Sequence, residues 1–124
     1  MIKIQRADLY SLIEPGRKVL VVAPRFEVAR RWGADFAKAL PEVAVDQIRT
    51  VGGVFQVLFN NGAVFEFVSA SSFWFFVEGA SLDYIVSDHE LSPKEHFSAM
   101  SALLPRNGVL LELEEEFVPM DVVS

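Results

Sequence analysis

The sequence contains no cysteine. This absence excludes disulfide bonds and zinc–thiolate sites, and it is typical of proteins from a reducing compartment. No apolar run approaches the roughly 20 residues that a membrane helix needs. The opening residues, MIKIQRADLY, also lack the apolar core of a secretion signal. We therefore expect a cytoplasmic protein with no membrane partner.

A phosphate-binding loop is missing as well. The pattern G-x-x-x-x-G-K-S/T cradles nucleotide phosphates with backbone N–H groups and a lysine, and it occurs nowhere in the chain. The nearest stretch, Gly16-Arg17-Lys18, precedes a predicted strand instead of following one, and Gly52-Gly53 has no lysine near it. The G-x-S-x-G elbow of serine hydrolases is also absent. We therefore expect no cofactor, and the favoured interpretation is that the protein is not an enzyme.

Positive charge is scarce in the second half of the chain. Residues 1–49 carry nine Lys or Arg against six Asp or Glu, whereas residues 50–124 carry two against eleven, for a net charge of −6. Such a chain is a poor general binder of nucleic acid, because phosphate contacts need a basic surface. The basic first half still allows local contact with nucleic acid. The acidic second half suits either a basic partner or a solvated surface.

Apolar runs and turn residues predict an alternation of strands and helices. Predicted strands lie at 2–5, 18–23, 83–88 and 108–114, with a strand or loop at 43–49 and helices at 7–13, 26–40 and from Ser92 to about Pro105. Two β-rich runs flank Asn60-Asn61-Gly62, a strong hairpin signal. The pattern predicts an α/β fold: a mostly parallel sheet with flanking helices on both faces, plus a β-hairpin at an edge. We expect a single domain over residues 1–124, with an irregular tail after Glu116.

The two longer helices have predictable buried faces. The helix at 26–40 carries an apolar stripe at 3- and 4-residue steps, formed by Phe26, Ala29, Trp32, Gly33, Phe36 and Leu40. In the last helix, Ser92, Pro93 and Glu95 form a capping-box start. Its buried face is predicted to contain Phe97, Met100 and Leu103.

The stretch DYIVSDHE holds the candidate catalytic residues. Asp88 ends a predicted strand and Glu90 follows two residues later. Open α/β sheets bind ligands at the carboxyl ends of their strands, where an Asp can hold magnesium while a neighbouring acid orients water. Asp88 and Glu90 are therefore the catalytic candidates, and Asp88 is the candidate metal ligand. The alternative is that both are solvated residues between a strand and a helix. His89 and His96 lack the closer spacing of zinc hydrolases.

Two further clusters are candidate binding surfaces. The aromatic run Phe73, Trp74, Phe75 and Phe76 predicts either a buried strand or an exposed patch for a protein partner or for stacking on bases. Arg25, Arg30 and Arg31 lie at the start of the predicted helix 26–40. They are the candidate nucleic-acid contacts, and the alternative for them is a solvated helix face.

Four segments follow one another in an informative order: KVLVVAPRFEVARRWGADFAKAL, FNNGAVFEFVSA, EGASLDYIVSDHE and LSPKEHFSAMSALLPRNGVLLEL. Together they resemble the RecA-like ATPase domain of phage terminase large subunits and of helicase-like ATPases, over roughly residues 18 to 113. In those ATPases the first segment is a strand and helix, the second a hairpin, the third the stretch with the magnesium Asp and catalytic Glu, and the last a helix and strand. The resemblance implies a truncated RecA-like, P-loop NTPase-like core.

The resemblance also implies roles for single residues. Asp88 matches the magnesium-binding Asp, and His89 stands at the position of the catalytic Glu. Glu90 lies one residue late, and on a strand one residue reverses the side-chain direction. The phosphate loop and the nuclease domain of the family have no counterpart here, so the module resembles a degenerate ATPase.

These features favour a phage-type, non-catalytic module that acts through protein–protein contacts. It would regulate or mimic a DNA-packaging or helicase-like motor, or inhibit a host nucleic-acid machine, in the host cytoplasm. One alternative is a split or minimal terminase-like ATPase subunit that binds Mg-ATP with a phosphate loop from another chain. A second is a nucleic-acid-binding accessory protein. A protein partner is expected, nucleic acid could be reached through it, and the oligomeric state is left open.

Overall fold

The computed structural model describes residues 2–114, and its strands form one seven-stranded sheet. The strands are β1 (Ile2–Ile4), β2 (Lys18–Ala23), β3 (Val45–Val51), β4 (Val54–Phe59), β5 (Val64–Ser69), β6 (Tyr84–Ser87) and β7 (Val109–Leu113). The α-helices are α1 (Phe26–Lys38), α2 (Phe73–Val77) and α3 (Pro93–Leu103), and a 3₁₀ helix spans Arg6–Leu12. Among these helices none is long and apolar enough to cross a membrane. The predicted tail after Glu116 lies outside the described residues.

The sheet has the order β1-β7-β6-β2-β5-β4-β3 and is mostly parallel. The neighbouring strands β1, β7, β6, β2 and β5 pair in parallel, whereas the β5–β4 and β4–β3 pairs are antiparallel. The continuous apolar run of β2 has a simple cause: residues 19–23 are buried, and a central parallel strand is covered on both faces. The predicted mostly parallel α/β sheet with an added hairpin is confirmed.

Helices cover the two faces of the sheet. On one face, α1 and the 3₁₀ helix pack over a core rich in aromatic side chains, where the ring of Phe36 stacks on Tyr10 and Phe65. On the other face, α2 and α3 pack over Leu20 and Ile85 of the sheet, and α3 contributes its small residues Ala99 and Ala102 to this core. The chain after β2 therefore crosses one face, and the chain after β6 crosses the other.

The antiparallel part is larger than the predicted hairpin. Residues 45–51 form a strand that pairs with β4 through a turn at Gly52 and Gly53. Both glycines have positive φ, 57° and 79°, the backbone that a tight hairpin turn requires at two successive positions. Gly52-Gly53 is thus a turn within a three-stranded meander, and β3 is the exposed edge.

The predicted buried face of α3 is wrong for Phe97 and Met100 and confirmed for Leu103. Phe97 is 74% exposed and Met100 is also exposed, whereas Leu103 is buried together with Ala99 and Ala102. Small alanines let the helix backbone approach the sheet closely, so the large side chains are left on the outer surface. The start of α3 is as predicted: the Ser92 hydroxyl accepts from the Glu95 N–H, and the Glu95 carboxylate accepts from the Ser92 N–H.

Candidate functional site

The carboxyl ends of β2 and β6 meet at a point where ligands bind in open α/β sheets. These strands are neighbours, but the helices that follow them cover opposite faces. Such an arrangement opens a crevice between the two strand ends. Asp88 lies there, directly after β6, with its backbone N–H bonded to the Val22 carbonyl at 3.3 Å.

Asp88 is held by its own neighbours. Its Oδ1 lies 2.8 Å from Nδ1 of His89. The Ser87 hydroxyl donates to the His89 carbonyl at 2.8 Å, which fixes the turn. A carboxylate bound in this way by a histidine has one oxygen less available for a metal. Within residues 2–114, no group of three His, Asp or Glu side chains converges in a way that could hold a metal ion.

Ser87, His89 and Asp88 do not form a catalytic triad. In a triad the acid and the serine bind opposite nitrogens of the imidazole. Here Nδ1 of His89 faces both groups, at 2.8 Å from Asp88 and 3.4 Å from the Ser87 hydroxyl. Ser87 is also fully buried, so its hydroxyl cannot reach a substrate. Glu90 is exposed beyond the turn.

The connections from strands to helices leave no place for a phosphate loop. One residue, Gln5, joins β1 to the 3₁₀ helix, and two, Pro24 and Arg25, join β2 to α1. Residues 70–72 join β5 to α2, and residues 88–92 join β6 to α3. None of these four connections in the described part of the chain contains a glycine. These connections are therefore shorter than the phosphate-loop pattern and lack its glycines.

The strongest charge cluster lies at the opposite end of β6. Asp83 is 4% exposed, and its carboxylate accepts hydrogen bonds from Arg17 at 3.0 Å, from Arg106 at 2.9 Å and from the Lys18 N–H at 2.8 Å. Burial alone would raise the pKa of the Asp83 carboxyl. The hydrogen bonds from Lys18, Arg17 and Arg106 outweigh burial, so the pKa lies below its ordinary value. This cluster was not predicted, and its fully satisfied geometry at the amino ends of the strands indicates a structural role.

The three candidate nucleic-acid contacts come together on α1. Arg25, Arg30 and Arg31 are exposed and line a shallow surface depression with Val28 and other α1 residues. Arg25 pairs with the exposed Glu27 at 3.1 Å. The other two arginines make no ion pair with a described residue. The patch is a small, solvated basic surface on the first turns of the helix.

The aromatic run forms the short helix α2, not a strand. A helix turns its side chains in several directions, so the run is divided: Phe73 is buried, Phe76 is half-buried, and Trp74 and Phe75 are exposed. Phe73 therefore belongs to the core and is not available to a partner in this structure.

Five exposed apolar side chains lie on α2, on α3 and at the residue after α3; together we call them the α2–α3 face. It consists of Trp74, Phe75, Phe97, Met100 and Leu104. A cleft of about 570 Å³ lies between the two helices. It is lined by Trp74, Val77, Glu78, Gly79, Ala80, Ser81, Ser98, Ser101 and Pro105. Large exposed apolar side chains grouped on neighbouring helices are candidates for an interaction site.

The comparisons with known proteins agree with the fold. No protein-family model and no curated protein matches the chain. The ATPase domain of the Thermus phage P74-26 large terminase is similar in structure, with a TM-score of 0.56 and 14% sequence identity. The match covers 93% of this chain and 53% of that one, so the chain spans about half the length of the solved domain. The chain thus has a RecA-like fold resembling a terminase ATPase domain.

Proposed function

We propose that this chain is a phage-type RecA-like module that does not hydrolyse nucleotide and acts through protein contacts. In this role it regulates or mimics a DNA-packaging or helicase-like motor, or inhibits a host nucleic-acid machine, in the cytoplasm. The observation that carries the proposal is a combination: strand-to-helix connections without glycine, and exposed apolar side chains on the helices α2 and α3.

The chemistry of phosphoryl transfer supports the first half of the proposal. Enzymes accelerate phosphoryl transfer almost entirely by positioning and by electrostatic stabilisation. The stabilising groups are a phosphate loop, its lysine and magnesium. The connections after β1, β2, β5 and β6 provide no glycine, and the carboxylate of Asp88 is bound to His89. A nucleotide would meet few of the groups that its transition state requires.

The α2–α3 face supports the second half. Phe75 and Leu104 are 80% and 75% exposed. Aromatic residues and Met are enriched at protein interfaces, and Lys and Glu are depleted there. Of the predicted contact residues, Trp74 and Phe75 are exposed and Phe76 is half-buried.

Titration calorimetry with Mg-ATP tests the proposal. We expect no binding heat from the purified chain. Micromolar binding that disappears in Asp88→Ala would overturn the proposal in favour of a split or minimal ATPase. That alternative is favoured by one observation, the place of Asp88 at the β2–β6 crevice. Glu66→Ala is the matched control, because Glu66 is a carboxylate within β5 and away from the crevice.

The nucleic-acid-binding alternative rests on the basic patch of α1. Binding through Arg30 and Arg31 would weaken steeply as salt increases, because phosphate contacts release counterions. Fluorescence anisotropy with a labelled DNA strand measures this. We expect no binding at physiological salt; salt-sensitive binding that Arg30→Ala/Arg31→Ala removes would favour the alternative.

A further inference from the structure

We propose that the α2–α3 face binds the same face of a second copy of this chain, forming a two-fold symmetric dimer with the two α3 helices antiparallel. The inference rests on the proposed function, because it assigns a partner to the contact surface named there. It goes beyond that function by fixing the identity of the partner and its orientation.

Shape complementarity within the face is the first argument. A two-fold interface joins a patch to itself, so the patch must contain both protruding and receiving elements. Helix α3 provides both. Its exposed ridge carries Phe97 and Met100 and continues into Leu104 just after the helix, while its side toward α2 carries Ser98 and Ser101 over the cleft. In an antiparallel pair the ridge of each copy can enter the cleft of the other.

The direction of α2 relative to α3 is the second argument. The Lys94 ammonium, at the start of α3, lies 5.7 Å from the ring of Trp74 near the start of α2. Glu78 follows the end of α2 and lines the cleft together with Pro105, beyond the end of α3. Lys94 and Glu78 therefore put one positive charge near the start of the two helices and one negative charge near their end.

Charge complementarity follows from this polarity. Antiparallel docking places Lys94 of each copy opposite Glu78 of the other, so the two-fold axis generates two identical ion pairs. Parallel docking would place like charges together. Glu78 is the only ionisable residue among those that line the cleft in the described structure. The charges thus favour the antiparallel arrangement.

Other modes of contact fit the surface less well. An added β-strand needs a free sheet edge, whereas this face is built from two helices. The amphipathic helix α1 cannot serve as the inserting element of a second copy, because its apolar residues Trp32 and Phe36 are already buried in its own core. Within residues 2–114, the exposed ridge of α3 is a helical surface that can enter the cleft.

Analytical ultracentrifugation of the full chain, from low to high micromolar concentration, tests the inference. We expect a reversible monomer–dimer equilibrium. Phe97→Glu should weaken the dimer by at least about 30-fold, the effect of losing an interface hot spot. Ser101→Arg, which fills the cleft without touching the ridge, should weaken it similarly. Val43→Glu, at an exposed apolar residue of the turn before β3, is the matched control and should leave the dimer unchanged.

A charge-exchange cycle tests the orientation. Glu78→Lys and Lys94→Glu should each weaken the dimer by roughly tenfold, and the double variant should restore it. Circular dichroism melts verify that each variant is folded. A monomer at all concentrations, a dimer that survives both Phe97→Glu and Ser101→Arg, or a double variant weaker than either single one would overturn the inference. A monomeric chain that binds no Mg-ATP would still leave the proposed function standing, so the two failures are distinguishable.

Discussion

Neutralising Asp83 is expected to destabilise the fold far more than neutralising an exposed carboxylate. Its oxygens accept three hydrogen bonds, from Arg17, Arg106 and the Lys18 N–H, at 2.8 to 3.0 Å. Asp83→Asn keeps the shape of the side chain, but one oxygen becomes an NH₂ group that faces a donor. The two guanidinium groups also lose their counter-charge. The substitution therefore replaces part of the buried hydrogen bonding with repulsion between two N–H donors.

The magnitude follows from the burial of the partners. Breaking a buried ion pair by removing one member costs about 3–5 kcal/mol. The side chains of Arg17 and Arg106 keep exposures of 43% and 34%, so water can solvate part of each released charge. The lower end of the range applies, about 3 kcal/mol. A domain of this size has roughly 6–19 kcal/mol of stability. The variant should therefore fold, with a urea midpoint lower by about 1.5–2 M.

The pH dependence separates the charge from the shape of Asp83. The pKa of this carboxyl is lower in the folded state than its ordinary value of 3.8. Such a group stabilises the fold fully above the unfolded-state pKa, and this contribution disappears as the pH falls through the folded-state pKa. The deficit of Asp83→Asn should be complete at neutral pH and should shrink below about pH 4.

Urea unfolding followed by the fluorescence of the buried Trp32 measures both effects. Asp35→Asn is the control, because Asp35 also faces an arginine, Arg6 at 3.7 Å, but is 63% exposed. That substitution should change stability by less than about 1 kcal/mol. An Asp83→Asn deficit no larger than the control, or one that stays constant into acid, would refute the reasoning.

Three further outcomes are expected from the same unfolding measurements. Gly33→Ala should cost about 1–3 kcal/mol, because a Cβ there overlaps the ring of Phe55 inside the core; a neutral or stabilising change would contradict this packing. Ser92→Ala should cost about 1 kcal/mol through loss of the N-cap of α3, and an unchanged midpoint would contradict the role of the cap. Burial raises the pKa of Tyr84, and the hydrogen bond to Glu14 raises it further. The stability that protonated Tyr84 contributes is therefore present below about pH 10 and lost above it. Tyr84→Phe should flatten the alkaline decline in the free energy of unfolding; an unchanged decline would contradict this.

Much of the fold was predictable because local patterns determine it. The run KVLVVA is apolar at every position except the first. Such a run is typical of a strand covered on both faces, and β2 is that strand. The Asn60-Asn61-Gly62 turn and the capping box at Ser92 are short-range signals, and both occur as predicted. These signals depend on residues within a few positions of one another, so the sequence carries them directly.

The rest depends on contacts between distant segments. Arg17, Asp83 and Arg106 are far apart along the chain and meet because β6 lies between β2 and β7 in the sheet. No spacing rule connects them. The predicted face of α3 was wrong for a related reason: side-chain size suggested that Phe97 is buried, but the approach of the helix to the sheet selected Ala99 and Ala102.

The lengths of the strand-to-helix connections bear on whether this fold could regain nucleotide chemistry. The phosphate-loop pattern spans about eight positions between a strand and a helix. The described connections are one, two, three and five residues long, after β1, β2, β5 and β6. Substitutions alone therefore cannot create the loop; an insertion would be needed, and after β2 it would separate α1 from the strand on which it packs. Asp88 follows β6 at these strand ends, where the described connections are shorter than such a loop. Contact through the α2–α3 face, as proposed above, does not depend on a loop of this kind.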